Sequence, residues 1–500
     1  KSKILMTVDN KPHVELEPLM HYSNSNMNYN DETNSTGRAN STLVESLISN
    51  TSVERPNKTK TQRNVVIALA VSLISGLVSG TLYGFGRYSR DLKDTLMLTQ
   101  YQIERFGILL DTGNYIGHPI TGLVYDRLGP RISCLSAAVI VFCAYGMIQL
   151  GVIRHITAHW IFDTSFFFVG LGSGLGYIAA LGSTTKNFQS SRHFSLAIGI
   201  VASGYGLSST IVGLSYHAVG LNRFFLLWAV LVAFGNLLGS CYLVVPNEDE
   251  EKTNEEEMDE EGANDSLQNN ANEEVPSEAH RSEQIFAAEW NDWREKDFWL
   301  LFFAFAGCTG CGLFIINNIS TMVQSIQGND SFAAKLVVLL SLSNFSGRLL
   351  MGFLADLPRV SKMVMLASTA LVMAAALFLS AMAQPDSASV CLIITVALIA
   401  AAYGGTWVLV VGILSDFFGN HNFGKNYGLI AMGPALSGML FNTFSAWTYE
   451  KYTPIDSEVC LGKNCYYMSF LLTGSAAILS CMVSSLLECS RRQSSVLGNT

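Results

Sequence analysis

The chain has 500 residues, 49% of them hydrophobic and only 14% charged, against roughly 25% charged in soluble domains, and its mean hydropathy is +0.30. That balance excludes a soluble protein of two to four domains and points to a chain solvated by lipid. The net charge of −9 is unevenly spread. Residues 248–297 carry 19 of the 40 acids and four bases, a local balance of −15 that leaves +6 for the rest.

In chain order, residues 1–63 are polar and rich in Asn, Ser and Thr, which predicts a disordered cytosolic tail. Within it, Glu15-Leu-Glu-Pro-Leu19-Met20 reads as an acidic dileucine-type sorting signal, a string read by sorting adaptors. Used, it directs the protein to the vacuolar or lysosomal membrane; unused, to the plasma membrane. Sequons at Asn34, Asn40, Asn50 and Asn57 go unglycosylated on a cytosolic tail.

Twelve runs follow that are long and apolar enough to cross about 30 Å of hydrocarbon as helices. They lie near 64–86, 101–124, 132–153, 160–184, 194–217, 223–245, 297–318, 332–355, 362–383, 388–414, 423–446 and 467–488. The reading is an all-α membrane protein with a six-helix bundle over 64–246, an acidic disordered linker over 247–296, a second bundle over 297–488 and a cytosolic tail over 489–500. The second bundle repeats the first at an offset of 229 to 230 residues, pairing Gly122-x-x-x-Asp126 with Gly352-x-x-x-Asp356 and Gly199 with Gly428. Two parallel six-span repeats predict a solute carrier with its site between the halves.

The bases set the orientation. With both termini in the cytosol, 17 Lys and Arg face inward and nine outward, as the positive-inside rule requires. The linker then serves as a solvated tether or, alternatively, as a docking segment for a partner protein. On the opposite face, Cys460 and Cys465 flank a four-residue stretch in an oxidising compartment, where they can pair. The other cysteines are apolar filler without metal-ligand spacing, and no cofactor is implied. Glycine runs such as Gly170, Gly172, Gly174 and Gly176 sit inside an apolar span and serve helix packing, not phosphate binding.

The most specific string is Gly122-Leu-Val-Tyr-Asp126-Arg127-Leu-Gly129-Pro-Arg131. It resembles the G-x-x-x-D-R-x-G-x-R signature between spans two and three of the major facilitator superfamily, with Gly352 to Asp356 as the degenerate second copy. Asn317-Asn318, Ser343-Asn344-Phe-Ser-Gly347-Arg348, Tyr403-Gly404-Gly405 and Phe423-Gly424-Lys425-Asn426-Tyr427-Gly428 are similar to the nodulin-like branch, which includes fungal monocarboxylate-transporter homologues. The resemblance covers roughly 64–488. It implies two bundles that rock about a midplane site, a monomer as the working unit, and no nucleic-acid partner.

That resemblance gives roles to individual residues. Asp126 is expected at the N-terminal end of span eleven, at Gly424 and Lys425, and Asp356 at the start of span five, at Ser191 and Arg192. Such contacts would hold the cytoplasmic mouth shut; the alternative is a static topology signal. Arg348, deep in span eight, is a fixed positive charge suited to an anionic solute, the alternative being an internal partner. Monocarboxylate carriers often place an aspartate one turn before this arginine, where this chain has Asn344. Asp111, in mid-span two with Asn114 and His118 on the next turns, is the candidate for proton coupling, since a charged carboxylate in hydrocarbon is costly. The fold lines its cavity with spans one, four, seven and ten, which nominates Tyr83, Tyr177, Asn317, Asn318, Tyr403, Thr406 and Trp407. Tyr83 and Trp407 are alternatively interfacial belt residues.

The expected function is a secondary transporter for a small polar organic solute, with an organic anion or monocarboxylate in view, working either coupled to protons or by facilitated diffusion. The rival is a transport-inactive receptor or scaffold acting through its tails and linker. Membrane enzymology finds no nucleophile, base or metal set to support it.

Overall fold

The computed structural model describes residues 58–243 and 292–497, except 359, 455, 456 and 458. The sorting string at Glu15, Leu19 and Met20, the sequons, Arg359 and most of the acidic linker lie outside the described residues.

Among the described residues, eleven helices are long and apolar enough to cross a membrane. The longest, His118–Arg154, holds parts of two crossings. Gly129 within it has φ 74° and ψ 175°, a conformation costly for any residue with a Cβ. Pro130 follows, its missing N–H suited to the first turn of a new helix. The chain therefore reverses there. Span two runs through Gln100–Asp111, a π-helical stretch Thr112–Ile116 and residues 118–128; span three occupies 130–154. This makes twelve crossings, an all-α membrane fold.

Span one is Lys58–Ser79 continued through a 3₁₀ stretch Gly80–Gly84 into Phe85–Thr95. Spans four to six are His159–Phe188, Phe194–Val219 and Leu221–Tyr242. Spans seven to ten are Lys296–Ser325, Asp330–Ala355, Lys362–Met382 and Ala388–Phe418. Span eleven is Phe423–Ile430 followed by Gly433–Tyr452, and span twelve is Asn464–Leu497. Pro434 explains the break in span eleven, since it cannot donate to the carbonyl four residues earlier.

Helix starts carry their own signals. Thr99 and Gln102 form a reciprocal capping box at the head of span two, and Asn329 caps span eight by accepting from the Phe332 amide at 2.8 Å. Outward-facing side chains such as Phe142, Leu150, Phe234, Phe303, Leu342, Phe353 and Leu486 are exposed and apolar, as a lipid-facing surface requires. The halves meet along two seams, span two with span eleven and span five with span eight. A Cβ placed on Gly122 would lie 2.0 Å from the Gly424 carbonyl oxygen, and one on Gly352 would lie 2.7 Å from that of Ser195. Only glycine admits backbones this close.

Candidate functional site

The two seams end in matched contacts. Asp126 accepts the Gly424 and Lys425 amides at 2.8 and 2.7 Å. Asp356 accepts the Ser195 and Leu196 amides at 2.8 and 2.9 Å. Both pairs are the free N–H groups of a helix's first turn, where an anion is stabilised by unsatisfied donors and by the helix dipole. The expectation for Asp356 is corrected: its partners are not Ser191 and Arg192, because span five starts at Phe194 and the free amides fall after that residue. The Lys425 side chain is directed away over the Trp293 ring, with Nζ 5.7 Å from its centroid. Arg127 and Arg131 are exposed.

Between the seams lies a narrow cavity with room for about one water molecule, lined by Tyr83, Asn114, Tyr115, His118, Tyr177, Tyr205, Arg348 and Trp407. Arg348 is 1% exposed. Its Nε donates to Asn344 Oδ1 at 3.1 Å and its Nη1 to the Ala202 carbonyl at 2.6 Å, so a side chain from span eight is held by span five across the halves. No Asp or Glu is among the residues lining the cavity. The rest of the wall is aromatic. Tyr177 stacks on Tyr205 with centroids 4.1 Å apart, Tyr83 meets Tyr205 edge-on at 5.3 Å, and the Tyr83 and Tyr115 hydroxyls are 3.2 Å apart. Tyr205 donates to Asn114 Oδ1 at 3.3 Å. Tyr427 of span eleven closes the far side, 6.1 Å from the His118 ring. The Tyr403 and Tyr427 hydroxyls and the Trp407 indole N–H are buried in this wall.

Of the residues nominated from sequence, the structure brings Tyr83, Tyr177, Arg348 and Trp407 to the cavity, so Tyr83 and Trp407 are not belt residues. Asn344 holds the arginine, and Tyr403 stands behind Trp407, ring centroids 6.2 Å apart. Three expectations fail. Asn317 is exposed and is not among the residues lining the cavity. Asn318 bonds Asn442 at 2.7 Å inside the second bundle. Asp111 is exposed and does not line the cavity, which begins one turn further along span two at Asn114. Tyr115, His118, Tyr205 and Tyr427 are not nominated from sequence, because the resemblance assigns the cavity wall to spans one, four, seven and ten. The available signal was a tyrosine or histidine in mid-span, where a polar tip needs a partner. Cys460 and Cys465 are joined in a disulfide.

The family model described as Major Facilitator Superfamily matches residues 106–442. The chain belongs to this superfamily. It is 26% identical over 388 residues to the uncharacterized MFS-type transporter YhjX of Escherichia coli (strain K12), covering 74% of this chain and 85% of the relative. Against the probable transporter MCH1 of Gibberella zeae it is 24% identical over 500 residues, covering 82% and 87%. The Arabidopsis thaliana protein NUCLEAR FUSION DEFECTIVE 4 is 32% identical over 200 residues, or 38% of this chain and 33% of that protein. Among solved structures, the E. coli fucose:proton symporter FucP aligns with a TM-score of 0.60 at 12% identity, covering 84% of this chain and 99% of that one. The proton:xylose symporter XylE aligns at 0.58 and 14%, covering 84% and 95%. At these identities the structures speak for the fold. As a member of the major facilitator superfamily the protein is a secondary transporter, not an enzyme, and its twelve helices form the two six-helix halves of that fold.

Proposed function

We propose that this transporter carries a small organic anion, with a monocarboxylate as the favoured class, and that Arg348 is its binding charge. The observation that carries this reading is a guanidinium sealed between the halves in a cavity whose lining holds no carboxylate. A fixed positive charge in low dielectric is costly alone and favourable once an anion is beside it. The aromatic wall fits a small, partly apolar solute, and since the cavity as it stands has room for about one water, the halves must part to admit it. One turn outward from Tyr83, the exposed Arg87 lies against span five, its Nε 3.3 Å from where a Gly213 Cβ would stand, and it offers a first stop on the way in.

In this reading the Asp126 and Asp356 contacts are the cytoplasmic gate, with Gly122 and Gly352 permitting the close approach and Lys425 and Arg192 flanking the two helix starts. Both termini are cytosolic, and the membrane is vacuolar or lysosomal. Solute enters from the opposite face, the halves rock, and the two carboxylate contacts break to release it.

The test is uptake by proteoliposomes of a labelled panel of acetate, lactate, pyruvate and oxalate. Charge-assisted hydrogen bonds contribute about 1.5–3 kcal/mol, so Arg348→Gln should lower uptake of the carried anion by roughly 10- to 100-fold. Uptake that is absent throughout the panel, or unchanged by Arg348→Gln, rejects the reading.

A further inference from the structure

We propose that His118 is the site that carries the coupled proton, in place of Asp111, and that its imidazole Nε2 loads and unloads that proton once per cycle. This rests on the anion reading of the same cavity. His118 lines the cavity and is 3% exposed. Its Nδ1 is hydrogen-bonded to the Asn114 carbonyl, and a carbonyl oxygen can only accept. That fixes the neutral tautomer with the hydrogen on Nδ1, leaving Nε2 as the basic atom.

The groups facing this ring set the sign of the coupling. Its ring lies 6.3 Å from that of Tyr115 on its own helix and 6.1 Å from that of Tyr427 on span eleven, and it shares the cavity wall with Tyr177 of span four, Tyr205 of span five and Tyr83 of span one. From span eight comes Arg348, the cavity's one fixed charge. The carboxylates of the same helix lie about 10 Å to either side, at roughly 1.5 Å of rise per residue: Asp111 is exposed, and Asp126 is engaged by two amides. An imidazolium beside Arg348 in the empty cavity would make two positive charges without an anion. A bound monoanion removes that penalty. Proton and anion therefore improve each other's binding, and by linkage the effect is mutual. The loaded cavity then holds Arg348 and one imidazolium against one anion, the same net charge as the empty one. One proton and one monoanion cross together, with no net charge moved.

His118 is also placed to report its state to the gate. A Cβ on Gly428 would lie 2.5 Å from the His118 carbonyl oxygen, and the His118 and Tyr427 rings are 6.1 Å apart. The residue thus sits on the span two to span eleven seam that Asp126 closes two turns further along.

The experiment uses proteoliposomes with trapped pyranine as pH reporter and labelled pyruvate as anion probe. Wild-type protein should acidify the lumen as pyruvate enters, and one outside-acid pH unit should drive about tenfold accumulation, the ratio that 1.4 kcal/mol supports. His118→Asn keeps an amide N–H to donate to Asn114 and removes Nε2. It should flatten the pH profile of uptake and reduce accumulation to unity. Arg348→Gln, by contrast, should lower uptake at every pH.

Pyruvate entry without acidification overturns the proton assignment and leaves the anion reading standing. So does a His118→Asn protein whose uptake falls equally at all pH values, the mark of a packing role. If His118→Asn is not monodisperse, His118→Gln serves as second variant under the same criteria. Wild-type vesicles that take up no carboxylate reject the anion reading and this coupling together.

Discussion

Asp126 and Asp356, 230 positions apart, make the same contact with opposite halves: each carboxylate spans the second and third backbone amides of a helix from the other bundle. The partners Gly424 and Ser195 are themselves 229 positions apart, so the internal repeat has produced a two-fold pair of contacts on one end of the molecule, which we propose act as latches.

From this pair comes the first expectation. Each latch contributes about 1–2 kcal/mol through charge and helix dipole, which makes it strong enough to bias a two-state equilibrium and weak enough to break. Asp126→Asn keeps the shape and loses the charge, so it should move the population toward the state open at this end by roughly five- to thirtyfold. Asp126→Asn combined with Asp356→Asn should do more than either alone. Thiol accessibility of single cysteines placed inside the gate measures the shift, and an unmoved population sinks the latch role.

Close backbone approach gives a sharper case. The Gly122 Cβ position is 2.0 Å from the Gly424 carbonyl oxygen and 3.0 Å from the Lys425 amide nitrogen. Backbone cannot swing aside as a flexible side chain can, so Gly122→Ala should prevent full closure and hold the carrier open at the Asp126 end. Transport should fall more than tenfold while the fold survives, read as a monodisperse protein with wild-type helicity. Full activity in Gly122→Ala would show that the helices separate more readily than these distances allow.

The end of the linker is tied to the same gate. Trp293 Nε1 donates to Asn426 Oδ1 at 3.0 Å, Asn426 Nδ2 donates to Asp292 Oδ2 at 2.8 Å, and the Trp293 ring lies under Lys425. Asn426 is fully buried and follows the two amides that Asp126 holds. Trp293→Ala should therefore loosen the start of span eleven and speed opening by about three- to tenfold, an effect of the size of one or two lost hydrogen bonds. Hydrogen exchange over 423–430 is the measurement, and exchange equal to wild type counts against a role for the Trp293 and Asp292 contacts in holding this helix start.

Much of this was legible in the sequence, and what was missed has a physical cause. Hydropathy and the 229 to 230 offset give the twelve crossings, since a span's length and apolarity are set by the bilayer alone. Gly122-x-x-x-Asp126 points to the start of span eleven because the motif is local and its partner is a helix start. Asp356 was misassigned by one turn, as the true start of span five at Phe194 depends on how the loop before it folds. The cavity wall was half found. Tyr83, Tyr177 and Trp407 lie on the spans expected to line it, whereas Tyr115, His118 and Tyr427 come from the seam helices. Their inward turn depends on the π stretch Thr112–Ile116 and the break before Gly433. Neither irregularity is visible in a pattern of apolar residues. Asp111 and Asn317 failed for the same reason: a residue's type says it is costly in lipid, but not which face of the helix carries it.

Cys460 and Cys465 report orientation, because the disulfide ties the loop before span twelve to that span's first turn and Cys489 lies near its other end. A helix crossing the membrane puts the two on opposite sides. With cytosolic termini, an impermeant maleimide applied to digitonin-permeabilised cells should label Cys489 and leave the pair unlabelled even after a permeant reductant. The pair should react once internal membranes are dissolved if the protein is vacuolar, or from outside intact cells if it is at the surface. Labelling of the reduced pair from the cytosolic side would invert the topology and place the Asp126 latch on the lumenal face. The bond closes a short loop, so Cys460→Ser should cost about 2 kcal/mol by loop-closure entropy. That loss concerns the clasp over span seven, where Gly462 donates to the Ser325 carbonyl at 2.8 Å, and it should leave anion uptake within about twofold of wild type.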